Sequence, residues 1–195
     1  MCSSDLGVAT SVCRTNIDEL VSDDFIEEMV RRGVHYLWYY IYRPVGERPH
    51  PELALSRDQI LRLRRFIVEA RPRHPIVIVD AYWDADGRAI CPGAIGLSHH
   101  VNPQGHIEFC PPLQFSFKRL QPGDSFADKI SGDKALAELR RRVASETRGC
   151  LILSNPHSLR DWLEQMNAVD SSGRNSAYSE LAAMSPCPCH DLPGF

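Results

Sequence analysis

The first third of the chain alternates between continuous apolar runs and amphipathic segments. The run His35–Tyr42 is almost wholly aromatic or aliphatic, and Pro75–Asp80 is a shorter run of the same kind. Continuous apolar runs of this length predict strands buried on both faces, as in a parallel sheet. Val8–Cys13 is a third short run with valine and threonine, and it also predicts a strand.

Two amphipathic segments separate these strands. Asp23–Arg32 begins with acidic residues, ends with basic ones and is followed by Gly33, which predicts a helix. A second helix is predicted from Ser56 to about Arg71, because Ser56 and Gln59 form a capping box ahead of an apolar face. Strand, helix, strand, helix, strand predicts right-handed βαβ units and a parallel sheet.

The pattern changes after the third strand. Asp84–Gly87 predicts a turn, and the proline-containing residues 91–125 predict mainly loop. Helices are predicted at Ala135–Thr147 and Ser158–Asn167 from their apolar spacing. The two expected regions are the sheet region, residues 7–84, and a cysteine-bearing appendage, residues 85–195.

One hairpin is predicted inside the appendage. Asn102–Gly105 is a tight turn, because it contains a proline and ends in a glycine that tolerates positive φ. The flanks, Leu97–Val101 and His106–Phe109, are expected to pair as strands. Such a hairpin delivers Cys110 at the end of its second strand.

Composition narrows the class of protein. The chain has 195 residues and a net charge of −3, which argues against a nucleic-acid partner. No apolar run approaches the roughly 20 residues that a membrane span requires, so no membrane partner is expected. Seven cysteines without a secretory signal predict a reducing, cytoplasmic location, where clustered thiols serve more often as metal ligands or catalysts than as disulfides.

The N-terminal residues Met1–Leu6 match the translation of a common sequencing-adapter tail read from a GTG start. We interpret residues 1–6 as a scar and exclude them from fold reasoning. The alternative is a genuine short polar terminus. With the abrupt strand that follows, the scar predicts that the chain is the C-terminal part of a longer protein.

Five cysteines follow residue 90, each next to a turn-forming residue or a strand end: Cys91, Cys110, Cys150, Cys187 and Cys189. Thiolates that wrap a metal need rigid backbone that exposes the side chain, which proline and glycine provide. The alternative, that a buried cysteine is only a small apolar side chain, stays open for Cys150 and is preferred for Cys13.

The spacing Cys91-x13-Gly105-x4-Cys110 resembles the C-x(9–15)-G-x4-C signature that opens the SPASM and twitch extensions of radical S-adenosylmethionine enzymes. The resemblance implies an auxiliary [4Fe–4S] cluster bound by Cys91 and Cys110. Cys150, Cys187 and Cys189 are the candidates that complete its ligand set.

The same resemblance implies a fold. We expect an α/β chain in which the second half of a partial (β/α)₆ TIM-like barrel, with Gly33–Gly46 as its sixth strand, precedes a small hairpin-plus-helices appendage. Arg43 follows a buried strand, where such folds place ligand-binding groups, and could pair with a carboxylate of S-adenosylmethionine or substrate. The alternative, that Arg43 is a surface side chain, stays open. Asn16 is expected to line the same cavity, together with Tyr39, Tyr40, Asp80 and Trp83.

The chain also departs from the family pattern. The C-x3-C-x2-C triad of the catalytic cluster, a Gly-Gly-Glu-like motif and the C-x2-C-x5-C segment are all absent from the sequence. The resemblance therefore implies a single-cluster, twitch-like fragment that does not cleave S-adenosylmethionine alone. The intact enzyme would hold a second [4Fe–4S] cluster and form a 5′-deoxyadenosyl radical that abstracts hydrogen from a peptide or small molecule.

Two other interpretations remain open. A zinc-stabilised binding module would combine the cysteines with His99, His100, His106 or His190 as ligands. A Cys/His hydrolase would need one exposed thiol paired with an imidazole, and no cysteine is distinguished from the others in that way.

Overall fold

Two separate β-sheets organise the chain. The computed structural model describes residues 5–80, 83–84, 87–96, 98–147, 149–187 and 189–190. The first sheet is parallel, with its strands in the order β1 (Gly7–Val12), β2 (Tyr36–Ile41) and β3 (Val77–Val79). The second is antiparallel, in the order β4 (His100–Val101), β5 (His106–Cys110), β6 (Leu113–Arg119) and β7 (Val169–Asp170).

Helices connect and cover these sheets. A short 3₁₀ turn occupies Pro51–Leu53. The α-helices are α1 (Ile17–Leu20), α2 (Asp23–Arg31), α3 (Arg57–Ala70), α4 (Phe126–Ile130), α5 (Lys134–Glu146), α6 (Leu151–Ser154), α7 (Pro156–Gln165) and α8 (Ala177–Ala183). Within the described ranges, none of them has the length and apolar character that a membrane crossing requires.

The local signals in the first region are confirmed. Ser56 accepts a hydrogen bond from the backbone of Gln59, whose side chain accepts one from the backbone of Ser56, so the predicted capping box opens α3. Ser22 caps α2 by accepting from the backbone of Phe25. The parallel pairing of β1 with β2 and of β2 with β3 follows the predicted βαβ order.

The expected second half of a partial (β/α)₆ barrel is wrong. A barrel continues as further parallel strands, each followed by a helix. Here the chain reverses after β3, where Trp83 and Ala89 form an antiparallel bridge, and it then builds a separate antiparallel sheet. The predicted turn at Asp84–Gly87 contains a hydrogen bond from Gly87 N to Asp84 O, while residues 85 and 86 lie outside the described residues.

The strand β2 is buried on one face only, contrary to the prediction of two. Leu37, Tyr39 and Ile41 pack into a cluster with the apolar face of α3. Tyr36 and Tyr40, on the opposite face, remain 39% and 38% exposed. A strand's side chains alternate between its faces, and here helices cover only one of them. This aromatic strand therefore presents a second face to the other half of the chain.

A second apolar cluster joins the antiparallel sheet to α5, α6 and α7. Phe109, Leu113 and Phe115 contribute to it from the strands. The expectation that residues 91–125 are mainly loop missed β6, a seven-residue strand in this range. The partly buried Cys189 packs against both this cluster and the first one. The predicted regional boundary near residue 84 stays a prediction.

The predicted hairpin forms around Asn102–Gly105. Gly105 N donates to Asn102 O at 2.9 Å, and Gly105 has a φ of +85°, which glycine adopts without a steric cost. Strand β4 pairs with β5, so Cys110 ends the second strand as expected. Leu97, at the start of the predicted first strand, lies outside the described residues.

A buried carboxylate holds this hairpin together. Glu108 is 1% exposed. Its Oε1 accepts from Asn102 Nδ2 at 3.0 Å and from Ser171 Oγ at 2.6 Å, and its Oε2 lies 2.6 Å from His100 Nδ1. One side chain thus connects β4, the turn and the segment after β7.

We expect Glu108→Ala to lower the free energy of unfolding by about 1–3 kcal/mol, because the buried donors lose their acceptor. Glu27→Ala, on the exposed surface of α2, should change it by no more than about 0.5 kcal/mol. Urea unfolding followed by circular dichroism compares the two variants. Equal midpoints would show that the Glu108 network does not stabilise the fold.

Candidate metal centre

A cavity of about 640 Å³ lies between the aromatic face of β2 and the cysteine-bearing segments. Three of the predicted ligands line it: Cys91, Cys110 and Cys150. Trp38 and Tyr40 contribute from β2, and other lining groups include Arg43, His99 and His190. The wall is mainly apolar, so the thiols face a largely apolar space.

Each of the three cysteines lies at the edge of a rigid local structure. Cys110 ends β5 and pairs with Leu113 across the Pro111-Pro112 turn. Cys91 begins a turn, because Ala94 N donates to Cys91 O at 3.0 Å. Cys150 caps the N-terminus of α6. Elements far apart in sequence therefore bring the thiols to one cavity.

Burial dominates the electrostatics of these thiols. It raises the pKa of Cys110, and the nearby thiols of Cys150 and Cys91 raise it further, whereas the positive charge of Arg43 lowers it. Burial likewise raises the pKa of Cys150, again opposed first by Arg43. In the metal-free chain the thiols of Cys110 and Cys150 are consequently protonated near neutral pH. Arg43 is the cation positioned to offset negative charge when thiolates form.

The C-terminal segment brings the remaining two cysteines towards the same centre. Cys187 N donates to Leu153 O at 2.7 Å, which attaches the segment to α6. The Sγ atoms of Cys187 and Cys189 are 3.0 Å apart. Burial raises the pKa of Cys189, and the thiols of Cys187 and, more weakly, Cys150 add to this effect. Cys189 is therefore near Cys187 and Cys150.

The histidines of the zinc interpretation occupy different surroundings. His190 lines the cavity. Burial and the charge of Arg43 lower the pKa of His190 to about 3, although a hydrogen bond with the Tyr42 backbone acts in the opposite direction. His99 also lines the cavity and lies 2.7 Å from Arg140 through its Nε2. His100 is tied to Glu108, outside the cavity lining. His190 is therefore a neutral imidazole beside the thiols.

The two predicted cofactor-binding residues are not brought together. Arg43 lines the cavity, whereas Asn16 does not. Asn16 Oδ1 accepts from Cys13 N at 2.8 Å and its Nδ2 donates to Ser11 O at 3.0 Å. Its side chain thus fixes the loop between β1 and α1.

The thiols surround a cavity and do not converge on one point. Among the described residues, no group of three or more His, Cys, Asp or Glu side chains is spaced to hold a metal ion. A single ion draws all its ligands to one centre, whereas each cysteine of a cluster binds a different iron.

The aromatic wall of the cavity was predicted only in part, because Tyr40 was expected to line the cavity whereas Trp38 was not. Trp38 and Tyr40 stack with their ring centroids 5.5 Å apart and their planes inclined by 20°. The signal was the alternation of aromatic residues along β2, which places every second one on the same face. The continuous apolar character of the strand concealed this alternation.

No family model matches the chain, and no match is found among curated proteins.

We expect iodoacetamide to alkylate Cys13 more than about tenfold faster than Cys110 in the folded, metal-free chain, because the thiolate is the reacting form. Partial burial raises the pKa of Cys13, but hydrogen bonds with the Thr15 side chain and with the Thr15 and Asn16 backbone lower it overall. Fragment-ion mass spectrometry of quenched samples measures both rates. The urea-unfolded chain is the control, in which the two thiols should react alike. Equal rates in the folded chain would contradict the cavity geometry.

Proposed function

We propose that this chain binds an auxiliary iron–sulfur cluster and belongs to an enzyme of the radical S-adenosylmethionine type. Cys91, Cys110 and Cys150 are the first three ligands, and the pair Cys187 and Cys189 supplies the fourth. The observation that carries the proposal is that three thiols, from three separate segments, line one cavity.

The surroundings of the thiols support this assignment. Cluster ligands are thiolates, and burial opposes their formation. The charge of Arg43 acts on Cys110 and Cys150 in the favourable direction. Trp38 and Tyr40 contribute aromatic rings to the cavity wall, and the apolar character of the surroundings is one determinant of cluster potential.

When bound, an auxiliary cluster carries an electron or anchors substrate. The residues of the chain define the space in which this occurs. A cavity of about 640 Å³ falls in the size range of sites for small organic molecules. Its mixed lining of aromatic rings, imidazole and guanidinium is suited to an organic substrate, such as a small molecule or one segment of a peptide.

A zinc-stabilised binding module is the second candidate. The observation that favours it is His190, because a neutral imidazole is the form that binds zinc and this one lines the cavity with the thiols. A site of three cysteines and His190 would match a common structural zinc ligand set.

Anaerobic reconstitution with iron and sulfide tests the first candidate. We expect the parent chain to gain iron, acid-labile sulfide and brown absorbance, and Cys110→Ser to retain several-fold less iron, because a hydroxyl is a poor substitute for a thiolate ligand. Cys13→Ser is the matched control and should behave as the parent.

Equal iron in Cys110→Ser and the parent would overturn the cluster assignment. Colourless protein that takes up stoichiometric zinc, and loses it in His190→Ala, would support the zinc candidate instead.

We also expect the reconstituted chain to form no 5′-deoxyadenosine from S-adenosylmethionine and dithionite. Reductive cleavage needs a cluster with one open iron, held by three cysteines on a short loop, and the sequence contains no such triad. Chromatography against a protein-free control measures the product. Multiple-turnover formation would show that the five cysteines hold a catalytic cluster.

A further inference from the structure

The two cysteines of the C-terminal segment form a close thiol pair. Their Sγ atoms are 3.0 Å apart, and a disulfide bond is about 2.05 Å long. An approach of about 1 Å would therefore bring the sulfurs to bonding distance. The cavity cysteines come from separate elements, whereas these two are separated by a single residue.

The surrounding contacts hold this pair in place. The hydrogen bond from Cys187 N to Leu153 O attaches it to α6, and the preceding Met184 is 3% exposed. Cys189 packs against both hydrophobic clusters. Cys187 and Cys189 are both half-buried, and Cys187 is not among the residues packed against these clusters, so we take it as the attacking thiol.

We infer that Cys187 and Cys189 form a thiol–disulfide site that closes to an intramolecular disulfide on reaction with a low-molecular-weight disulfide. The inference rests on the proposed function where it concerns the cluster, because closing the disulfide removes the fourth ligand.

The reaction is an ordinary exchange. The thiolate of Cys187 attacks one sulfur of glutathione disulfide and displaces one glutathione thiolate, leaving a mixed disulfide. Cys189 then loses its proton and attacks Cys187 Sγ, which releases the second glutathione. The two cysteines lose two electrons and two protons, and glutathione disulfide is reduced to two glutathione thiols.

The resulting disulfide would be easily reduced. Bridging cysteines that are one residue apart closes a small ring, and strained or accessible disulfides are the labile ones. A reversible bond suits a switch better than a structural staple. Neither sulfur of a disulfide is a thiolate, so the oxidised chain would offer only Cys91, Cys110 and Cys150 to iron.

The tryptic map makes the test selective. Cleavage after lysine and arginine gives a peptide of residues 175–195 that contains both tail cysteines and no other. Residues 89–118 contain Cys91 and Cys110 together, and residues 149–160 contain Cys150 alone. The 89–118 peptide is therefore a control that also contains two cysteines and comes from the same molecule.

The metal-free chain is equilibrated in glutathione buffers of increasing oxidised fraction and quenched by alkylation. It is then digested with trypsin, and the peptide masses are measured by mass spectrometry. We expect the 175–195 peptide to lose the mass of two hydrogens at a ratio at which the 89–118 peptide is still doubly alkylated, because the tail sulfurs lie only 3.0 Å apart. Cys187→Ser and Cys189→Ser should instead carry one glutathione on the remaining thiol. A tail peptide that is doubly alkylated throughout, or oxidised together with the 89–118 peptide, would overturn the inference.

Iron uptake separates this inference from the proposed function. Chain with an oxidised tail should bind less iron than reduced chain. Treatment of the oxidised chain with dithiothreitol should restore its iron uptake to that of the reduced chain. Equal, substantial iron in both states would overturn the role of the pair as a ligand switch. Absence of iron uptake in both states would overturn the proposed cluster, while the peptide masses still decide whether the disulfide forms.

Discussion

The alternation of side chains along β2 is the constraint on which the rest of the structure depends. One set, including Leu37 and Tyr39, completes the apolar cluster beneath α3. The other set includes Trp38 and Tyr40, which form a wall of the cavity. A strand covered by helices on both faces would have no surface to offer the cysteine-bearing half. The open face therefore creates the cavity, and the segments that carry the thiols form its other walls.

Local signals in the sequence determined much of the fold. The capping box at Ser56 and the turn at Asn102–Gly105 depend on neighbouring residues alone, so both were predictable. The placement of Cys110 at a strand end followed from that turn. The barrel prediction failed because it depended on which strands pair over long distances, and a sequence pattern does not specify that pairing. Strand β6 was missed because proline-rich flanks obscured its alternating residues Leu113, Phe115 and Phe117.

The composition of the site was predictable only in part. Five cysteines beside turn-forming residues indicated a thiol-rich centre, but not which of them meet. The contact of the C-terminal segment with α6 joins Cys187 to Leu153, which are 34 positions apart in the chain, so no local sequence pattern predicts it. Asn16 was wrongly expected to line the cavity. Its polar side chain instead forms hydrogen bonds with the backbone of the nearby loop.

The thiols connect the chemistry of the site to the stability of the fold. Without metal, burial raises the pKa of Cys110 and of Cys150, and the positive charge of Arg43 opposes this shift. Metal binding requires thiolates, which releases protons and makes the affinity rise with pH. Cys91, Cys110 and Cys150 belong to separate segments, and Cys189 touches both apolar clusters. A cluster bound by these residues would cross-link separate elements of the fold, so much of its binding free energy would also be folding free energy.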